Sequence, residues 1–219
     1  TITATTDDKI YNGTPLTNGT FIVSGETLQT DILNRSSIKV NGSITVVGDT
    51  SNVVDPSSVK IMNGSVDVTE AYTIIFVDGT LTVNQRPITL TGATASHVYD
   101  GNLFADSSVT QTGTLATGDA FSDDVVAIGT IKDVGSKPNP VGQVNIVNGN
   151  EDRTFCYDIT YVPGTLTVTP ADASLNAVTI NSKSVTYNGQ SQKLDNATSL
   201  VTNGTTLYYK EHSQGEDAW

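Results

Sequence analysis

The chain has 219 residues, with 11 Lys+Arg against 23 Asp+Glu and a formal charge of −12. Such a charge repels phosphate and argues against nucleic acid or an anionic membrane as partner, and one Cys excludes an intrachain disulfide framework and a Cys-rich zinc site. Only 16% of residues are charged; the polarity lies in Ser, Asn, Gly and 34 Thr, a composition of short strands and tight turns.

In chain order, the first element is a strand running into Ile10-Tyr11-Asn12-Gly13. Glu26–Leu33 has some helical character and is predicted as a single short helical turn. Asn63-Gly64 marks a reversal. Beyond it, Tyr72–Val77 and Thr80–Val83 alternate with period two, and Asp78-Gly79 between them predicts a hairpin. Pro87 follows, and the pattern restarts. Val98-Tyr99-Asp100-Gly101 matches Ile10–Gly13 at an offset of 88, and Gly129–Gly135 matches Gly42–Gly48 at 87. Gln143–Gly149 matches Ser58–Gly64, and Tyr157–Val168 matches Tyr72–Val83, both at 85. Leu115–Asp124 stands opposite Glu26–Leu33 and predicts the same helical turn, and Pro163-Gly164 stands opposite Asp78-Gly79. Thr186-Tyr187-Asn188-Gly189 repeats the opening motif once more.

Ordered matches with a three-residue drift imply duplication with small loop insertions. The repeats are 1–84 and 85–169, with a partial, divergent third at 170–219. Pro87 and Pro170 mark linkers too short for free tumbling, which predicts a stiff array whose repeats each bury a core. No apolar run is long enough to cross a bilayer, so no membrane insertion is expected here. The opening at Thr1, with no signal-peptide pattern, reads as an internal piece of a longer protein.

Lys9–Thr17 with its Tyr-Asn-Gly, Val47–Asn52, and the closing Gly79-Thr-Leu-Thr-Val83 together resemble the MBG (mostly beta, glycine-rich) and YDG-type tandem repeats of bacterial surface proteins. The likeness covers the first two repeats over nearly their whole length. Residues 185–194 resemble a sister type, in which Tyr208 and Trp219 form part of a strand-turn element. The resemblance implies an all-β or β-grasp-like fold with at most one short helical turn per repeat, as tandem domains in an elongated array. It implies an extracellular, cell-wall-attached setting, often in an adhesin, and no catalytic residue or cofactor.

Tyr11, Tyr99 and Tyr187 open the repeats, and Tyr72 and Tyr157 open the closing strands. They read as core-edge rings beside glycines in special conformations, Gly13, Gly101, Gly189, Gly79 and Gly164, rather than as a row of ligand contacts. Asp119, Asp123 and Asp124 are the best calcium candidates, without EF-hand spacing; solvated turn carboxylates are the preferred reading. Lys9 and Asn84 could suit an isopeptide link, but His97 and Thr169 replace them in the second repeat. The Asn-x-Ser/Thr triplets, among them Asn12, Asn18 and Asn34, read as turns. No nucleophile elbow or phosphate loop is present, so no enzyme is expected. The expected role is a stalk or spacer holding a binding region off the cell wall, with neighbouring repeats as partners. The alternative is that one repeat itself binds a host glycan or protein.

Overall fold

The computed structural model describes residues 1–172, 179–180, 186, 188–190 and 197–198. The fold is mostly β, with 45% of residues in strands and 7% in helical turns. Among the described residues no helix reaches seven residues, consistent with the all-β class expected.

The first 84 residues build three small sheets. In the first, β1 (Ile2–Ala4) pairs antiparallel with β3 (Phe21–Val23) and parallel with β9 (Phe76–Val77). In the second, β2 (Asp7–Ile10) runs parallel to β10 (Gly79–Asn84), which is antiparallel to β6 (Gly48–Val54); β5 (Val40–Asn41) completes the order. In the third, β4 (Asp31–Leu33) precedes β7 (Ile61–Asn63) and β8 (Val66–Asp67). Asn63 pairs with Val66 across a two-residue loop, and Gly64 at φ +59° supplies the positive φ such a tight loop needs.

The hairpin expected at Asp78-Gly79 is not formed. Strand β9 belongs to the first sheet and β10 to the second, so the chain crosses between sheets at Asp78. It does so beside Thr5-Thr6, where β1 gives way to β2. Gly79 is not among the glycines with positive φ. It is needed because a Cβ there would overlap the Thr5 and Ala4 carbonyls. Asn52, wholly buried, fills the crossing: its Nδ2 donates to the Thr5 and Asn18 carbonyls, each at 2.9 Å.

Residues 85–169 carry matching sheets, except that an isolated Ala127–Val141 bridge stands where β5 pairs with β6. The sheet orders are β13 (Val109–Thr112), β11 (Arg86–Gly92), β18 (Tyr157–Val162); then β12 (Ala95–Val98), β19 (Gly164–Thr169), β15 (Gly135–Asn139); then β14 (Ala120–Phe121), β16 (Ile146–Asn148), β17 (Glu151–Asp152). Pro163-Gly164 is again a crossing rather than a hairpin. A Cβ on Gly164 would overlap the Ala93 and Gly92 carbonyls. Asn139, fully buried, donates to the carbonyls of Ala93 (3.0 Å) and Asp106 (2.9 Å). A short pair, β20 (Thr179–Ile180) with β21 (Ala197–Thr198), lies further on.

The helical turns expected at 26–33 and 115–124 are replaced by turns leading into β4 and β14. The reason is where two N–H groups go. Those of Leu28 and Ala116 bond the hydroxyls of Tyr72 and Tyr157 instead of a carbonyl one turn back. Short 3₁₀ turns occur elsewhere, at Arg35–Ser37, Pro56–Ser58, Thr69–Ala71 and Thr154–Cys156. The first 84 residues therefore hold three helical turns, not at most one. The Pro56 turn is started by Asp55, whose carboxylate accepts from Ser57 N–H with Pro at the first turn position.

The described residues divide into two compact units. The first comprises Thr1–Leu90, Gln111–Val125 and Gln143–Tyr161; the second comprises Thr91–Thr110, Val126–Gly142 and the described residues from Val162 on. In the first unit, one cluster is built from residues 1–84 alone, with Ile2, Val54 and Val59 buried at its centre. A second joins Tyr11, Leu81 and Val83 to Ile146, Cys156 and Tyr157. Residues 1–84 thus have a core of their own, as expected of each repeat, and in addition share a cluster with residues of 85–169. The second unit has its own cluster around Ile131, Leu166 and Val168.

Candidate functional site

Two tyrosine–carboxylate clasps stand out. In the first, Tyr72 donates its hydroxyl to Asp31 Oδ2 (2.6 Å) and accepts from Leu28 N (3.1 Å). Asn63 Nδ2 donates to Asp31 Oδ1 (2.8 Å). In the second, Tyr157 donates to Asp119 Oδ2 (2.7 Å) and accepts from Ala116 N (2.8 Å), while Asn148 Nδ2 donates to Asp119 Oδ1 (2.8 Å). Each clasp ties a loop to a strand hairpin 85 or 88 residues from its counterpart.

Among the described residues, the second clasp has an occupant that the first lacks. The Tyr11 ring packs edge-on against Tyr157, with centroids 5.7 Å apart and planes at 82°. Both rings are buried, Tyr11 to 1% exposure and Tyr157 to 4%. Next to Tyr11, Gly13 takes φ +80°, and a Cβ on it would sit 2.8 Å from the Thr117 carbonyl. Only glycine suits both constraints. Arg86 closes the seat: its Nη1 donates to the Tyr11 carbonyl (3.3 Å) and its Nε to the Thr114 carbonyl (2.5 Å).

The electrostatics suit fixed hydrogen-bond donors. Burial, then the Asp119 carboxylate beside it, pushes the Tyr11 hydroxyl up to about 12. Burial, reinforced by Asp119, also raises Tyr157. The bond from Tyr72 holds Asp31 below the usual carboxylate range. Burial pushes the Cys156 thiol up, which keeps it protonated and poorly nucleophilic. The arrangement can lock loops to strands through tyrosine hydroxyls that keep their protons and donate to aspartates.

No family model, curated protein or solved structure matches the chain.

The other sequence-predicted residues fall as follows. Tyr99 is half-buried against the Ile131 cluster, near a stacked His97–Phe104 pair at 5.1 Å, with Gly101 at φ +78°. Gly189 takes φ +75°; Tyr187, Tyr208 and Trp219 lie outside the described residues. Of the calcium candidates, Asp119 has both oxygens engaged by Tyr157 and Asn148, and Asp123 accepts from Ser122 Oγ (2.8 Å). Among the described residues no three His, Cys, Asp or Glu side chains form a group that could hold a metal, these included. Lys9 Nζ bonds Asn12 Oδ1 (2.8 Å) and Thr14 O, while Asn84 Nδ2 bonds Asp8 (3.2 Å). No helix among the described residues is long and apolar enough to cross a membrane.

Sequence reasoning missed Asn52 and Asn139. Their signal was available: each stands four residues after a glycine of the aligned pair Gly48 and Gly135.

Proposed function

We propose that this chain is a non-catalytic stalk or spacer of the MBG/YDG type in a bacterial surface adhesin, projecting a binding region from the cell wall. The observation that carries the reading is the Tyr11 seat. A spacer must transmit position along its length, and here the link between 1–84 and 85–169 is a packed core rather than a loose tether. An edge-on tyrosine pair, a glycine with no room for a side chain and an arginine clamp hold that link. The rest of the surface suits the role. Asp55, Asp67, Asp106 and Asp152 are each held low chiefly by a Ser or Thr hydroxyl two residues on, and serve as turn formers. An acidic, turn-rich exterior resists collapse onto its neighbours.

Small-angle X-ray scattering on the purified chain, with and without millimolar calcium, tests this. A stalk gives a long, thin particle with one maximum dimension in both conditions. A near-spherical particle overturns the reading, and a calcium-dependent dimension would make the acidic turns structural metal sites.

A further inference from the structure

The first clasp lies at the end of an open groove lined by Gly25, Thr27, Leu33, Ile61, Tyr72 and Ile74. We propose that this groove is a socket for the Tyr-Asn/Asp-Gly loop of another segment of this kind. The inference rests on the stalk reading above and names its joint.

The warrant is the occupied counterpart within the same compact unit. At offsets of 85 and 88, the groove residues Leu33, Ile61, Tyr72 and Ile74 correspond to Phe121, Ile146, Tyr157 and Ile159. Those four belong to the cluster that receives Tyr11. The hydrogen-bond frame is the same in both places: a tyrosine hydroxyl between an aspartate and a loop N–H, with an asparagine amide on the other carboxylate oxygen. Gly25 at φ +95° and Gly113 at φ +86° shape the two loops alike.

What differs is the occupant. In the filled seat, Ala116 is 6% exposed beneath the Tyr11–Gly13 loop; its counterpart Leu28 is 71% exposed. Tyr72 is only half-buried where Tyr157 is fully buried. A large apolar side chain left in water beside a prebuilt clasp is what an unfilled seat presents. The filled seat also uses Arg86, the first residue of β11. A faithful joint therefore needs the Arg86–Thr89 stretch ahead of Ile2, the counterpart of Leu90.

The test is a full chain carrying a second copy of residues 1–89 joined directly ahead of Ile2. Amide hydrogen exchange is read at Leu28 and Tyr72. The expected result is exchange at least tenfold slower than in the original chain. Tyr11→Ala made only in the added copy abolishes the gain and leaves the original Tyr157 seat protected. Leu28→Asp, compared with the same variant lacking the added copy, shows no rise in melting temperature from that copy. Unchanged exchange at Leu28, or a gain that survives Tyr11→Ala, overturns the socket. Scattering from the same extended chain separates the two ideas. A long, rigid particle with unprotected Leu28 sinks the socket alone, whereas a compact particle sinks the stalk reading.

Discussion

At the residue scale, most of the informative polar side chains are short and bond locally. Asn12 and Asn18 accept from the N–H and hydroxyl of the Thr two residues on, and Asn34 from the Ser36 hydroxyl. These are the Asn-x-Ser/Thr triplets read from sequence as turns, and Asp does the same work at 55, 67, 106 and 152. The tyrosines are different, because their partners are far away in sequence. Their pH dependence follows. Tyr11 is raised from 10.0 to about 12 in the folded chain. The folded state therefore keeps its proton where the unfolded state has lost it. That contribution is fully present below pH 10 and is lost as the pH rises from about 10 to 12. Denaturant unfolding at pH 9 and pH 11 should show a larger drop for the native chain than for Tyr11→Phe. Equal drops would mean that Tyr11 titrates as an exposed phenol.

At the scale of elements, the sheet crossings decide the topology. Gly79 and Gly164 sit where two neighbouring chain segments pass from one sheet to the next, and a carbonyl occupies the space a Cβ would need. Gly79→Ala should destabilise by about 2–3 kcal/mol through overpacking. Gly19→Ala, with open space and no positive φ, should change stability by less than about 0.5 kcal/mol. A melting curve for each variant checks this, and equal costs would contradict the crossing. The same positions mark what the sequence could and could not reveal. Period-two alternation and Asn-Gly reversals are local signals, so the strands and the Asn63-Gly64 hairpin were legible. Asp78-Gly79 has the composition of a hairpin turn, but a close backbone approach demands glycine just as strongly, and only the partner strand tells the two apart. The turns at 29–30 and 117–118 have a helical composition, but the N–H groups of Leu28 and Ala116 just before them are claimed by tyrosines some 40 residues away. Asn52 and Asn139 were overlooked because a buried Asn has no periodic signature.

For the whole molecule, the alignment of residues spaced 85–88 apart has a physical counterpart in paired clasps, paired crossings and paired glycines. What the alignment could not supply is where one segment ends energetically and the next begins. Pro87 suggests a boundary, yet Tyr11 and Val83 share a core with Ile146 and Tyr157. A covalent linker and a thermodynamic boundary are different things. If this joint is the feature that makes a spacer stiff, local damage on one side must be felt on the other.

Hydrogen exchange on Tyr11→Ala tests that most directly. Removing a buried aromatic ring should cost about 3–5 kcal/mol. The account predicts that protection falls at Leu81 and Val83 and also at Ile146 and Tyr157, more than 130 residues from the substitution. A loss confined to residues 7–16 and their strand neighbours, with Ile146 and Tyr157 as protected as before, would contradict it.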